Sequence, residues 1–218
     1  GLVKGLLCIQ ALPWDSKILG TPAFKITQLE TFNATAQESG KILDALLGVA
    51  LDTLRTLSRS HCHVRIPSDD VEAANSLGRV GFEKVESLNT YGARLNEIGS
   101  ILASYKATPL EMRFIEADDI DWARQLSREA VNPYDRFHAD KLISGCADDF
   151  MEAWINGCTS GFCDTNFIGL AEGQRAGFAL WQSGRRELND IGAQIARLAL
   201  GAVSKSFSGR GIHRTLVA

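Results

Sequence analysis

Apolar positions along the first part of the chain follow two different spacings. In the segment 35–58 they return every three or four residues, as on the buried face of a helix, and Thr35 and Glu38 have the spacing of a capping box at its start. A short helix capped by Ser68 or Asp69 is predicted further on. Shorter runs of apolar or alternating residues predict strands at 3–11, 23–29, 61–66 and 82–95.

The second part of the chain continues this alternation of strands and helices. Gly173 and Gln174 stand between two apolar runs and indicate a hairpin, and Asp118 or Asp119 is expected to cap a helix. The predicted order is a strand at 111–115, helices at 118–131 and 139–156, strands at 167–172, 176–182 and 191–203, and a helix from 208 to 218. Hairpins require antiparallel pairing and helices cover a face of the sheet, so the fold class is α/β, and α+β in detail.

The chain is long enough for one large domain or two small ones. It has 218 residues, of which 45% are apolar. The stretch 99–110 has no long apolar period and contains Pro109, so it is the expected linker. We therefore expect one α/β domain at 1–98 and a second domain at 111–218.

Charge and cysteine content argue against several classes of binding partner. The formal net charge is -3, from 23 basic and 26 acidic residues, which leaves no basic surplus for a nucleic acid. No apolar run approaches the roughly 20 residues of a membrane helix, and the start lacks the pattern of a signal peptide. The five cysteines have no zinc-site spacing, so no metal is expected. Free thiols in the cytoplasm are the expectation, with Cys158 and Cys163 structural.

The segment after the last predicted strand carries the candidate binding chemistry. Gly209 and Gly211 can adopt positive φ and bring the backbone close to a ligand. The unpaired N–H groups of the following helix, with its dipole, favour a phosphate or pyrophosphate, and Arg210 can add a charge-assisted contact. The spacing is neither that of a Walker loop nor that of a Rossmann fingerprint. An ordinary glycine turn before a helix is the alternative.

The segment 196–213 resembles the acetyl-CoA motif of the GNAT superfamily of N-acetyltransferases. In that motif a strand ending in Ala-Val leads into [RQ]-x-x-G-x-[GA]. Gly211 matches the pattern, whereas Ser208 and His213 depart from it. The resemblance implies a GNAT-like, mostly antiparallel sheet flanked by helices, with acetyl-CoA as co-substrate. The residues that it assigns to acetyl-CoA are Ala202, Val203, Ser208, Gly209, Arg210, Gly211, Ile212 and His213.

Other segments resemble GNAT enzymes that acetylate amino sugars on nucleotide carriers, such as the dTDP-4-amino-4,6-dideoxygalactose N-acetyltransferases. These segments are 12–16, 78–82, 132–140 and 154–156. The resemblance implies a small amine, with a dTDP-linked amino sugar as the first choice. The residue types in and near these segments make Asp135, Arg136, His138 and Trp154 the candidates for contact with the substrate, with His138 as a base or a sugar ligand. The alternatives are a helix cap, a salt-bridged arginine, a packed histidine and a core tryptophan, respectively.

The first half also resembles the back half of a GNAT fold, with Leu77 where the family often has a tyrosine acid. Residues 1–98 are therefore expected to be a degenerate half-GNAT domain. Residues 111–218 are expected to be the front part of a catalytic GNAT domain whose last strands are not in this sequence, and no general acid is assigned. Two rivals stay open: a non-catalytic acyl-CoA-binding or scaffold protein, and a GNAT enzyme for another amine, such as a peptide N-terminus or an antibiotic. The half-repeat would also allow a homodimer through edge strands.

Overall fold

The computed structural model describes residues 2–57, 59–92, 94, 108–130, 135–183 and 195–217. Contacts divide the chain into two compact units. The first is Gly1–Leu88 with Tyr134–Cys146, and the second is Asn89–Pro133 with Ala147–Ala218. The expected domain at 111–218 is therefore interrupted, because residues 135–146 pack within the first unit. Most of the expected linker, residues 99–107, lies outside the described residues.

The described helices and strands alternate along the chain. Those of the first unit are β1 (Gly5–Ala11), α1 (Pro13–Leu19), β2 (Ala23–Thr31), α2 (Ala36–Arg55), β3 (His61–Val64), α3 (Val71–Arg79) and, later in the chain, α5 (Arg136–Ala139). Those of the second unit are β4 (Glu111–Phe114), α4 (Ala117–Glu129), α6 (Ala147–Gly157), β5 (Thr165–Ala171), β6 (Gln174–Gln182), β7 (Arg197–Val203) and α7 (Ile212–Val217). The α/β class is thus confirmed.

The sheet of the first unit has the order β1-β2-β3. Strand β2 pairs antiparallel with β1 and parallel with β3. Helix α1 was not predicted from the sequence. Proline is the first residue of this helix, where its fixed φ is favourable and its missing N–H costs nothing. Gly20 ends the helix at a φ of 64°.

Helix α2 begins with the predicted capping box. The Glu38 backbone N–H donates to the Thr35 hydroxyl at 3.4 Å, and the Thr35 N–H donates to the Glu38 carboxylate at 2.9 Å. Its apolar face contributes Leu47, which is fully buried with Ile26 of the sheet and Leu77 of α3. The periodic pattern therefore predicted this helix and its buried face correctly.

Two predictions around α3 were wrong. Its cap is Asp70, whose carboxylate accepts the Ala73 N–H at 3.0 Å, rather than Ser68 or Asp69. The described residues between 82 and 92 form no strand, although strands were predicted at 82–95. Phe82 packs against the core of the first unit, but residues 87–92 are exposed. A short segment with scattered apolar residues cannot supply the neighbouring strand that a β-strand needs.

The second unit is built on an antiparallel sheet of order β4-β5-β6-β7. Alternate side chains of a strand point to opposite faces. Phe178 and Leu180 of β6 therefore pack with α4 and α6, whereas Ala179 packs with Leu216 of α7. Glu172 and Gly173 both have positive φ (55° and 73°), as the tight hairpin turn requires. The predicted hairpin is confirmed, one residue earlier than expected.

Several boundaries in the second part of the chain differ from the predictions. The helix predicted at 139–156 is divided into α5, a 3₁₀ turn at Ser144–Cys146 and α6, and the Asp140 carboxylate accepts the Leu142 N–H between them. Helix α4 has Glu116 rather than Asp118 or Asp119 as its cap. The helix predicted from 208 begins at Ile212, because positive φ at Gly209 and Gly211 does not continue a helix. Residues 191–194 of the predicted last strand lie outside the described residues.

Two glycines allow α7 to lie close to the sheet. A Cβ on Gly177 would lie 2.6 Å from the Ala202 carbonyl oxygen and 2.9 Å from Cδ1 of Leu216. At Gly169 a Cβ would lie 2.7 Å from Leu110 and 3.0 Å from Leu216. The close packing of Leu216 against the strands therefore requires residues without a side chain at both positions.

Substitution of Gly177 by alanine is expected to lower the free energy of unfolding by about 1–3 kcal/mol, the usual cost of overpacking a core. The added methyl group would meet a backbone oxygen of the paired strand, which cannot rotate away. Gly201→Ala is the matched control, since its nearest contact is a carbonyl oxygen at an ordinary 3.4 Å. Urea denaturation followed by tryptophan fluorescence measures both variants. Equal stability of the two variants would contradict the close contact at Gly177.

None of the helices that the structure describes combines the length and the apolar character needed to cross a bilayer.

Candidate functional site

The turn between β7 and α7 has the backbone that the sequence predicts. Gly209 has a φ of 75° and Gly211 a φ of 77°. A Cβ added at Gly209 would meet no atom within 4 Å, so the space beside the turn is open. Ser208, Arg210 and His213 are exposed on the same turn. The backbone of this turn is therefore open to close approach by a ligand.

Buried side chains on either side hold this turn in place. Ala202 of β7, Phe207 and Ile212 are each less than 10% exposed, and the last two belong to one cluster with Leu216. The Ser204 N–H donates to the Ala176 carbonyl of β6 at 2.9 Å. Of the residues assigned to acetyl-CoA, Ala202 and Ile212 thus offer only their backbone groups, because their side chains are core.

Arg210 already has partners within the second unit. Its guanidinium donates to the Glu172 carboxylate at 2.9 Å and lies 5.1 Å from the centre of the Phe207 ring. Its carbonyl accepts the Thr108 hydroxyl at 2.6 Å. The ion pair is exposed, with 49% of the Arg210 side chain and 73% of the Glu172 side chain accessible, so it stabilises by less than about 1 kcal/mol. Exchange of Glu172 for a phosphate group would therefore cost little.

Strand β7 lies at the edge of the sheet, next to this turn. It pairs with β6 on one side, and among the residues that the structure describes no strand covers its other side. Its register with β6 shifts: Leu200 pairs with Leu180, whereas Leu198 pairs with Trp181. Ala199 is the extra residue of this bulge, and a bulge leaves a residue out of the ladder. Backbone groups near the start of the turn are thus available to a ligand.

Helix α5 carries three further candidates. The Asp135 carboxylate accepts the N–H groups of Phe137 (2.9 Å) and His138 (3.0 Å) through one oxygen, so the alternative of a helix cap holds. Its other oxygen lies 2.8 Å from Nδ1 of His138. Nε2 of His138 is buried and has no hydrogen-bond partner among the described residues. In a neutral ring whose Nδ1 donates to Asp135, Nε2 would carry the lone pair of a proton acceptor.

The side chain of Arg136 packs within the first unit instead of pointing into solvent. Its guanidinium lies 3.5 Å from the Asp15 carboxylate and 3.5 Å from Nδ1 of His63, and 4.2 Å above the Phe137 ring. Burial, and then the charge of Arg136, lower the pKa of His63 to about 3, so this imidazole is neutral. The alternative of a salt-bridged arginine therefore holds for Arg136.

His61 and Asp140 form a second buried contact beside Arg136. Nε2 of His61 lies 2.9 Å from the Asp140 carboxylate, and the two side chains are 7% and 14% exposed. The residues are 79 positions apart, so no local sequence pattern indicates the pairing. In the described chain, no group of three or more metal-binding side chains is present.

Trp154 lies in the second unit. It is half-buried in α6 and packs against the core cluster that contains Ile155 and Phe178. The structure brings Asp135, Arg136 and His138 together in the first unit, whereas Trp154 and the acetyl-CoA candidates belong to the second.

Comparisons with known proteins give matches only among solved structures. No protein-family model matches the sequence, and no curated protein does. A GNAT-family acetyltransferase from Streptococcus agalactiae is 20% identical, with 50% of this chain and 66% of that chain covered, at a TM-score of 0.37. A GNAT-family acetyltransferase from Brucella melitensis in complex with acetyl-CoA is 15% identical, with 51% and 65% covered, at a TM-score of 0.35.

A ribosomal-protein-alanine N-acetyltransferase from Brucella melitensis biovar Abortus is 13% identical, with 50% of this chain and 66% of that chain covered, at a TM-score of 0.33. The chain thus spans slightly less than two thirds of the length of these proteins. With identities of 20% or less and TM-scores of 0.37 or less, the likenesses assign neither an activity nor a residue to this chain.

Proposed function

We propose that this chain is an acetyl-CoA-dependent N-acetyltransferase that binds its co-substrate on the turn 208–213. The observation that carries the proposal is the open turn with positive φ at Gly209 and Gly211, which follows an edge strand and precedes a helix. This is the order of elements in the acetyl-CoA motif that the sequence resembles. The first unit then represents a degenerate half of the same fold.

The residues of the turn fit an anionic ligand. Gly209 leaves room beside the backbone, and the first N–H groups of α7, at Ile212 and His213, have no partner within their helix. Arg210 can exchange Glu172 for a phosphate. The edge of β7, from Ala199 to Val203, offers backbone N–H groups for the thioester end. Acetyl-CoA would supply the acetyl group as an activated thioester, and these groups would hold and orient it.

We propose His138 as the proton acceptor for the substrate amine. The amine must lose a proton to become a nucleophile, and a neutral imidazole accepts one near neutral pH. Asp135 fixes the ring so that Nε2 carries the lone pair. Transfer of the amine proton to Nε2 would then give an imidazolium that the Asp135 carboxylate stabilises.

A nucleotide-linked amino sugar is the proposed substrate. The support is the likeness of segments 12–16 and 132–140 to enzymes for such sugars. Asp15 and Arg136, which lie in these two segments, are in contact in the first unit. The proposal assigns a phosphate of the nucleotide to Arg136, which would bind it with those of its five N–H donors that the contacts with Asp15 and His63 do not use. Trp154 is not part of this group, since it packs against the core of the second unit.

Substitution of Gly209 by tryptophan is expected to weaken acetyl-CoA binding at least tenfold, because the indole would fill the space beside the turn. Calorimetric titration of acetyl-CoA into the full chain measures the affinity. Gly20→Trp is the matched control, since Gly20 also has positive φ (64°) and open space around it, but it ends α1. Equal affinity for the two variants would contradict the placement of the co-substrate. Failure of the unsubstituted chain to bind acetyl-CoA would overturn the function.

The rival candidate is a non-catalytic acyl-CoA-binding protein. It is favoured by Leu77, which is 5% exposed in the apolar core of the first unit and has no proton to donate. A thiol assay for CoA release separates the candidates, with dTDP-linked amino sugars, a peptide N-terminus and an aminoglycoside as amines. CoA release with the sugar nucleotide supports the proposal. CoA release only with another amine refutes the proposed substrate. Binding of acetyl-CoA without CoA release supports the rival.

A further inference from the structure

Two buried cysteines meet in the turn between α6 and β5. Cys158 follows the last residue of α6, and Cys163 lies two residues before the start of β5. The Cys163 N–H donates to the Cys158 carbonyl at 3.3 Å, and Gly161 reverses the chain between them with a φ of 108°. The backbone of this turn therefore brings both side chains to the same side.

The two sulfur atoms lie closer together than the sulfur atoms of two unbonded thiols usually do. Sγ of Cys163 lies 2.6 Å from Sγ of Cys158, about 0.6 Å more than the ~2.05 Å of a disulfide bond. Both side chains belong to the core cluster of the second unit, with Ile155 and Ile168, and are at most 3% exposed. The contact is thus fixed by the surrounding core, whereas two exposed thiols could separate by rotating about χ1.

We propose that Cys158 and Cys163 are a modification site, at which a disulfide bond forms when a small-molecule disulfide such as oxidised glutathione is in excess. One cysteine thiolate attacks the glutathione disulfide, forms a mixed disulfide and releases one glutathione thiolate. The second cysteine then attacks the mixed disulfide and releases the other. The two cysteines lose two protons and two electrons, and oxidised glutathione becomes two molecules of reduced glutathione.

Burial sets the rate of this exchange. It raises the pKa of the Cys158 thiol far above its usual value, with the neighbouring Cys163 adding to the effect. The reacting thiolate is therefore scarce in the folded protein, and the turn must open for glutathione to enter. Oxidation is expected to be slow in the native protein and fast during refolding, and the finished bond is expected to resist reducing agents until the protein unfolds.

The full chain is equilibrated with oxidised glutathione in excess over reduced glutathione, once as native protein and once during refolding from urea. Free thiols are then alkylated under denaturing conditions. The tryptic peptide 142–175 contains Cys146, Cys158 and Cys163, so Cys146 serves as an internal control. After refolding, the expected peptide carries one alkyl group, on Cys146, and lacks two hydrogen atoms. The disulfide closes a loop of only a few residues, and it is expected to raise the Tm of the protein by about 5 °C.

Three variants identify which cysteines form the bond. Cys158→Ser and Cys163→Ser should each abolish the loss of two hydrogen atoms, whereas Cys146→Ser should retain it. Three alkylated cysteines after refolding in excess oxidised glutathione would overturn the proposal, as would a bond between Cys146 and either partner. Because the unsubstituted chain carries the decisive measurement, a serine variant that fails to fold does not affect the result.

Discussion

Replacement of Asp119 by asparagine is expected to lower the free energy of unfolding by about 3–5 kcal/mol, the usual cost of removing one partner from a buried ion pair. The Asp119 carboxylate is 1% exposed and lies between two arginines, with Arg113 at 2.9 Å and Arg175 at 2.8 Å. It also accepts the Glu116 N–H at the start of α4. An amide has no charge for the two guanidinium groups, and its NH₂ would point at one of them.

The neighbouring Asp118 provides the matched control for Asp119. Its side chain is exposed, and only its carbonyl binds Arg175, so Asp118→Asn should change the stability by less than about 0.5 kcal/mol. Urea denaturation followed by the fluorescence of Trp122, Trp154 and Trp181 measures both variants. If the two variants were equally stable, Asp119 would not join the arginines to α4.

The loss of stability at acid pH is a second measure of the ion pairs that Asp119 forms with the two arginines. Arg113, with the Glu116 N–H and Arg175, lowers the pKa of Asp119 to about 2. In the unfolded chain the value is about 3.9. A lowered native pKa contributes stability that is complete above the unfolded value and is lost as the pH falls towards the native value. The unsubstituted protein is therefore expected to lose stability between about pH 4 and pH 2 more steeply than Asp119→Asn does.

Replacement of His138 by asparagine is expected to lower kcat for acetyl transfer by about 10²–10⁴-fold, the usual contribution of a general base. Asparagine can still hydrogen-bond to Asp135, but it cannot accept a proton from an amine at neutral pH. Because His138 is proposed to act on the amine and not to bind acetyl-CoA, the KM for acetyl-CoA should change little. The measurement is CoA release at saturating acetyl-CoA, with the amine that gives the highest rate.

Lys141→Gln is the control for His138, because this exposed residue also lies just after α5. It should leave kcat within about twofold of the unsubstituted value. If His138→Asn were as active as Lys141→Gln, His138 would have no part in the mechanism, while the proposed acetyl transfer would stand. Absence of CoA release from the unsubstituted chain would instead count against the activity itself.

Features that depend on a few consecutive residues were predicted from the sequence. The capping box of Thr35 and Glu38 and the positive φ at Gly209 and Gly211 are of this kind, because neighbouring residues decide them. The helical period of 36–55 was equally clear. The prediction of strands at 82–95 failed because the segment is largely exposed and pairs with no strand among the described residues.

Contacts between distant positions were not predictable from one sequence. His61 and Asp140 are 79 positions apart, and Arg136 and Asp15 are 121 apart. Each of these side chains could equally be exposed to solvent. The residues next to it in the sequence therefore do not indicate its partner. The same holds for Gly177, which must lack a side chain because Ala202 and Leu216, on two other elements, lie against it. Such requirements appear only when the elements are packed together.

The path of the chain limits how this protein can be divided for expression. It leaves the first unit after Leu88, returns at Tyr134 and leaves again after Cys146. A fragment starting at residue 89 would carry α5 without Asp15 and His61, its partners, and would expose the buried ring of Phe137. A fragment ending at residue 88 would lack α5 altogether. No single cut therefore yields either unit intact, and a cloned first unit would need residues 135–146 joined to its end by a designed linker.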